Sequence, residues 1–488
     1  MAEPVTPIEQ AERHVAAWVV IAIVMVVYVT GLFLYSRFNP NFPVVYTDIE
    51  DHFKYGCIGA EAATGPSASG IPYWIWAVLP DMFPEKLPGK GYASLGFVYE
   101  PGHDTPIGFG RSKVYIDRLG MNCAICHTGT VRDTPSSTPR IYLGMPANTF
   151  DLQAYLRFLI ACVTDGRFTA DNVILAIKAR KSLDPLETVV YRQAIYETRE
   201  ILLLRARQLS FMASRPDWGP GRVDTFNPYK TVQFNFPMDN DHSVGATDLP
   251  SIWNQTPRLG MHLHWDGNNE SLDERDKSAA LGAGVTPVTL DLKSVTRIEG
   301  WMLNGLKAPA YPYAVEEGLA SQGAAIYQNA CAACHDFGKE YVGKVTPIGE
   351  IGTDRGRLDS FTYELASNMN LLYAGYPWRF THFRKTNGYV NMPLDGVWLR
   401  APYLHNGSVP TLRDLLDPPE ERPKTFYRGY DVYDRKKGGF VSDVAGENGR
   451  HYFLYDTALP GNGNGGHLYG TRLSAAEKDA LVEYMKKL

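Results

Sequence analysis

A surplus of charge of either sign is what this chain most clearly lacks. Its 488 residues hold 48 Lys+Arg against 53 Asp+Glu, a net charge of −5. No extended Lys/Arg run supplies the footprint that draws phosphate, which excludes a nucleic-acid partner. After residue 36 no second apolar run is long enough to cross a bilayer. Cysteine is scarce, with six in all, and histidine is absent from 128 to 241. What remains is a 44% hydrophobic, 21% charged composition, which excludes disorder as the main state; 45 Gly and 33 Pro point to a loop-rich globular chain of about three domain-sized units.

The one long apolar run is near the start. Residues 15–36 carry no charge, and Ala16 to Tyr35 spans about 30 Å as a helix, enough to cross a membrane once. An uncleaved anchor over 15–36 behind a cytoplasmic tail of 1–14 is favoured over a core helix. It is also favoured over a signal peptide, for which the run is too long and lacks an Ala-x-Ala site. Arg13 and Arg37 flank it evenly, so charge does not orient it.

Four of the six cysteines fall in Cys123-Ala-Ile-Cys126-His127 and Cys331-Ala-Ala-Cys334-His335. On a helical turn, positions i, i+3 and i+4 share a face, so two thiols can form thioethers along one porphyrin edge while the histidine reaches the iron. A four-cysteine zinc site would leave the paired histidines unexplained, and a thioredoxin-type pair wants a surrounding βαβ pattern that is absent. Two covalently bound haem c groups are expected, with His127 and His335 as metal ligands. Attaching them requires the outer face of the bacterial inner membrane, which orients the anchor with its N-terminus inside and the bulk of the chain in the periplasm. Cys57 and Cys162 are either a disulfide or two buried thiols.

The motifs lie 208 residues apart, so each is expected to organise its own domain: a first haem domain with loop-rich insertions over 37–309 and a second cytochrome c domain over 310–488. Residues 315–330 read as a helix entering the second motif. Ser474 and Glu477 form a capping box that opens a final helix, giving the paired terminal helices of a cytochrome c domain. Residues 57–120 are broken by Gly and Pro, whereas 151–214 carry helical periodicity. The fold class is therefore mainly α: two cytochrome c-like haem domains with long irregular loops, preceded by one transmembrane helix.

The sixth ligands decide the chemistry, since a doubly ligated haem shuttles electrons and an open one binds oxygen or peroxide. For the first haem the candidates are His52, His103, His242, His262 and His264, or an open position. For the second, His467 in a flexible glycine-rich loop competes with His405, and Met369 and Met392 are weaker.

From residue 53 onward the chain resembles the bacterial diheme cytochrome c peroxidase and MauG superfamily, and more closely its rubber oxygenase-like subgroup. The likeness rests on both haem motifs, on Trp265-Asp266-Gly267 and on Arg400-Ala-Pro-Tyr403-Leu404-His405-Asn-Gly-Ser-Val-Pro-Thr-Leu412. It implies that Trp265 bridges the haems and that His467 is the second haem's sixth ligand. Where peroxidases carry a methionine ligand and MauG-type enzymes a tyrosine, this chain has Leu404, which cannot ligate iron. Where the peroxidase pattern places a glutamine and a glutamate, the spacing lands on Arg275 and near Val285. Glu274 and Asp273 are the nearby carboxylates, on a segment that reads as a solvated helix.

The expected function is a peroxidase-like oxidoreductase anchored in the inner membrane. Its first haem reacts with O2 or H2O2, its second transfers electrons, and its candidate catalytic residues are Trp265, His264 and Glu274. The partner would be a small redox protein of cytochrome or cupredoxin type. The rivals are a pure electron-transfer cytochrome using His264 or His262 on the first iron, and an oxygenase of an apolar substrate, suggested by the aromatic run Tyr73 to Trp76. Asp239, Asp241 and Asp248 are candidates for a calcium ion.

Overall fold

The computed structural model describes residues 6–38, 46–61 and 70–488; residues 1–5 of the expected tail, and 39–45 and 62–69 of the expected first haem domain, lie outside these. Among the described residues there are sixteen α-helices and fifteen short strands in seven small antiparallel sheets. The sequence reading foresaw the helices and loops but not the strands, most of which are two to four residues long.

The first helix, Pro7–Phe38, is longer than the charge-free run, with Glu9 in its first turn and Arg37 in its last. Its apolar side chains from Ile8 to Tyr35 are exposed, Trp18 at 69% and Val26 at 65%. That rules out a core helix, since no protein surface covers it. An exposed helix of this length and composition is compatible with a membrane anchor or a signal sequence.

The globular part has two large cores. One gathers the helices Tyr73–Met82, Leu152–Thr164, Ala170–Lys178 and Pro185–Gln208 against the hairpin Phe109–Val114/Ile116–Met121. Asp151, Thr169 and Asp184 cap three of these helices through their side chains. The aromatic run at Tyr73 belongs to this core: Trp76 stacks on Tyr92 at 4.2 Å and donates to the Tyr155 hydroxyl, so it offers no substrate surface. The other core runs through the remainder of the chain. The first haem motif sits at the seam, with Cys123 packed on one core and Cys126 on the other.

The helix Glu317–Ala330 enters the second motif and crosses the final helix, Ala475–Met485, which opens on the expected Ser474/Glu477 box. The crossing is close because residue 323 is glycine: a Cβ there would lie 1.9 Å from the Ala480 carbonyl oxygen. The segment after 420 also folds back over the first half. Arg132 pairs with Asp431 at 2.6 Å, Arg428 with Asp248 at 2.7 Å, and Arg222 donates to Asn462, all buried. Cys57 and Cys162 are both buried, unpaired thiols.

Candidate haem centres and the tryptophan between them

Both motifs fold as single tight turns. Cys123–Ile125 is a 3-10 turn capped by Asn122, whose side chain accepts from Ala124 N and donates to Gly56 O. Ala332–His335 is one α-turn, and all four motif cysteines are free thiols. His127 Nδ1 lies 2.9 Å from Pro250 O, and His335 Nδ1 lies 2.7 Å from Met392 O. A carbonyl only accepts, so both Nδ1 atoms carry the proton and both Nε2 atoms present a lone pair, as an axial ligand must. Burial pushes His127 down to about 4 and lowers His335, so both rings are neutral. Met392 thus contributes its carbonyl, and Met369 is buried in the core.

The ring that His335 faces is His467, at 6.3 Å between centroids and 44° between planes. Two imidazoles bonded to one metal at about 2.0 Å, with each nitrogen about 1.1 Å from its ring centre, would stand about 6.2 Å apart. His467 Nδ1 is buried without a partner, and burial together with nearby His335 pushes the ring down to about 3. The donor set and its spacing therefore fit a haem with two histidine ligands. The glycine-rich loop bearing His467 is not slack. Arg422, 1% exposed, donates to Asn464 O, Gly466 O and His467 O, and His467 N donates to Ile351 O. Nothing in the sequence singled out Arg422. His405 instead stacks on Tyr389 at 3.9 Å, with its Nε2 buried and unpartnered.

Trp265 bonds to the two segments that hold the motif histidines. Its Nε1 donates to Asp248 O at 2.7 Å, and its carbonyl accepts from Val390 N at 2.8 Å. Asp248 lies two residues before Pro250, which holds His127, and Val390 lies two residues before Met392, which holds His335. A short path of bonds thus runs from one histidine through Trp265 to the other. Next to Trp265, Asp266 is fixed by the buried Arg357 at 2.8 Å.

Among the first-haem candidates, His103 is exposed and stacked on Tyr55, His242 is exposed, and His262 lies 2.8 Å from Arg384. His52 is stacked edge-on against Tyr46, with Arg297 beside it. His264 differs. It holds a left-handed backbone, φ 63°, its Nδ1 donates to the Asn268 side chain, and burial with the Arg357 charge pushes it down to about 4. The Arg275 charge disfavours protonation of both His127 and His264.

Glu274 is not on a solvated helix face. It is 4% exposed and accepts from Asn269, from Thr381 N and Oγ1, and from His382 N and Nδ1, bonds that keep its pKa low. Such a saturated carboxylate ties the 381–382 loop to its helix and has no proton to give at neutral pH. Beside it stand Arg275 and two polar groups that the sequence did not single out, Asp276 and Glu299. Arg275 binds Gln255 and Asp276, Asp276 Oδ2 is buried without a partner, and Glu299 is raised to about 7, first by burial and then by the Asp276 charge. Of the aspartates proposed for calcium, Asp241 is engaged by Lys230 and Asp248 by Arg428, while Asp239 is exposed. Among the described residues no group of three or more His, Cys, Asp or Glu is arranged to hold a metal ion.

Residues 388–427 match the family described as RoxA-like, cytochrome c-like. This stretch carries Trp265's partner Val390, His335's partner Met392 and the 400–412 motif. Two uncharacterized proteins of Sinorhizobium fredii are similar along more of the chain. y4iM is 33% identical over 284 residues, covering 49% of this chain and 64% of its own length. y4iJ is 24% identical over 98% of this chain and all of its own length.

Proposed function

We propose that this protein is a membrane-anchored periplasmic diheme oxidoreductase. In this reading Cys123, Cys126 and His127 hold a first haem that meets O2 or H2O2, and Cys331, Cys334, His335 and His467 hold a second that passes electrons. The observation that carries it is the bonded path from Pro250 through Trp265 to Met392, which connects the two proximal histidines. Bound haem would supply one-electron chemistry and, where a coordination position is open, affinity for oxygen or peroxide. The chain's own residues do the rest. The Pro250 and Met392 carbonyls fix ring tautomer and tilt, Arg422 seats the loop that brings His467 over His335, and Arg275 sets a positive charge where oxygen-derived negative charge would develop. Electrons would reach the second centre from a small periplasmic redox protein.

A second reading, an oxygenase of an apolar compound, is favoured by one feature. A surface aromatic loop of Tyr373, Tyr376 and Trp378 leads through Phe380 and Phe383 to His264 in ring-to-ring steps of 5 to 6.5 Å.

The test is coordination. Protein matured in a cytochrome c-competent host should carry two haems on a haem-stained denaturing gel and by mass. Oxidised, it should show one high-spin and one bis-histidine low-spin signal by EPR. A colourless band removes the haem assignment, and two low-spin signals remove the peroxidase and oxygenase readings together. Turnover of a reducing dye with peroxide, against cleavage of an apolar polyene with O2, separates those two.

A further inference from the structure

Apart from the Trp265 path, a second set of aromatic rings starts from the strand paired beside the first haem motif. The strand Arg140–Leu143 pairs with Thr128–Val131, which directly follows His127, and Gly144 N donates to His127 O. Tyr142, on that strand, meets Trp398 edge-on at 5.6 Å; Trp398 meets Tyr311 at 5.4 Å, and Tyr311 meets Tyr313 at 5.1 Å. Tyr433 closes a parallel branch, 5.6 Å from Trp398 and 6.2 Å from Tyr313. Every step is a contact between oxidisable rings. Trp398 is fully buried, whereas Tyr313 is part-exposed.

The end of the chain is built differently from its middle. The Tyr313 hydroxyl donates to the Asp133 carboxylate, which is also held by Arg140 at 2.6 Å, and Arg435 lies 4.0 Å over the Tyr313 ring. Packing alone explains a cluster of edge-on rings. It does not call for a surface phenol with a carboxylate already placed to take its proton, which is what allows a tyrosine to lose an electron without forming a phenol cation.

We propose that Tyr142, Trp398, Tyr311 and Tyr313 form an electron relay that feeds the first haem site from the protein surface, with Tyr313 as its terminus. This rests on the peroxide-reactive reading above. Hydrogen peroxide takes two electrons and, from solvent, two protons to give two waters; one electron would be supplied by the bound haem and the other by Tyr313. The Tyr313 O–H bond breaks, its electron travels inward along the rings, its proton goes to Asp133, and a neutral phenoxyl radical remains. The basic surface of Arg140, Arg435 and Lys436 then suits an anionic one-electron donor that restores the phenol.

The holoprotein is mixed with peroxide, frozen, and examined by EPR for a phenoxyl radical, with the haem absorption recorded in parallel. Tyr313→Phe keeps every ring contact and removes only the hydroxyl. The radical signal should fall at least five-fold in this variant while the haem absorption still responds, and Trp398→Phe should slow its appearance. Ferrocyanide, as the anionic donor, should quench the wild-type radical. A haem response with an undiminished radical in Tyr313→Phe overturns the relay and leaves the peroxide reading standing. No haem response to peroxide in the wild type overturns both.

Discussion

Replacing Arg422 with alanine should release the second centre's distal histidine without touching either ligand. Its guanidinium donates to five carbonyls: Leu415, Asp417, Asn464, Gly466 and His467. Three of these five lie on the loop 464–467; at about 1 kcal/mol net for each, less whatever water entering the vacated space recovers, roughly 2 kcal/mol falls on that loop. Gly466 makes that loop unforgiving. Its φ is 73°, and a Cβ there would meet Gly352 backbone at 2.4 Å, so the chain has one way to lie over 351–353 and little to hold it there once the arginine is gone. The assay is EPR of the oxidised holoprotein. The low-spin bis-histidine signal should lose more than half its intensity to a high-spin species, with imidazole in solution restoring it. His405→Ala should leave the signal unchanged. A full low-spin signal in Arg422→Ala, or its loss in His405→Ala, would refute the assignment of His467 as the ligand that Arg422 seats.

Four further outcomes follow from the same geometry. Trp265→Phe keeps a ring between the centres but loses the bond to Asp248 O, so electron exchange between the haems after rapid reduction of one should slow by at least ten-fold with little change in either spectrum. Gly323→Val should abolish the crossing of the two terminal helices at a cost of about 3 kcal/mol or more, read as loss of the holoprotein's cooperative thermal transition. Arg132→Met strands the buried Asp431 carboxylate and should cost about 3–5 kcal/mol in denaturant titration, whereas removing both partners should cost less. Glu299 is raised from 4.5 to about 7 by burial and by Asp276. The folded state thus favours its protonated form, and this contribution to stability is complete below about pH 4.5 and lost as pH rises through about 7. Thermal scans across that window should show the decline in wild type and a flatter profile in Glu299→Gln.

What the sequence made legible was local. The cysteine spacing, the Ser474/Glu477 box and the periodicity of 151–214 each depend on residues within a turn or two of one another, and each appears in the structure where that spacing puts it. The carbonyls of Pro250 and Met392 were not legible, because a backbone acceptor leaves no mark on residue type. Nor was Arg422, whose partners lie up to 45 positions away. Glu274 shows the opposite failure. SLDERDK reads as a solvated helix by charge alone, yet His382 and Thr381, more than a hundred residues on, bury that carboxylate. The short strands escaped notice for the same reason, since pairs such as Arg222–Asp224 with Ala246–Asp248 are too brief to show an alternating pattern.

The first centre turns on His264. Its left-handed backbone is costly for a non-glycine residue, by about 1–2 kcal/mol, and such strain persists where a side chain must be aimed. Asn268 fixes its Nδ1, leaving Nε2 free to act. Two roles are consistent with that aim: a ligand on the iron, or a hydrogen-bonding group beside an open one. They differ in what reduction with carbon monoxide reveals. An open centre binds one CO per protein in the wild type, and His264→Ala changes only the stretching frequency of the bound gas, because a polar neighbour has been removed. A ligating His264 blocks CO in the wild type and admits it in the variant. The Arg275 charge, which disfavours protonation of both histidines, argues for the first outcome: a cation held by Gln255 and Asp276 adds nothing to a closed bis-histidine iron, but stabilises an oxygen ligand that draws electron density from an open one. CO binding confined to His264→Ala would make this centre an electron carrier and remove Arg275 from the chemistry.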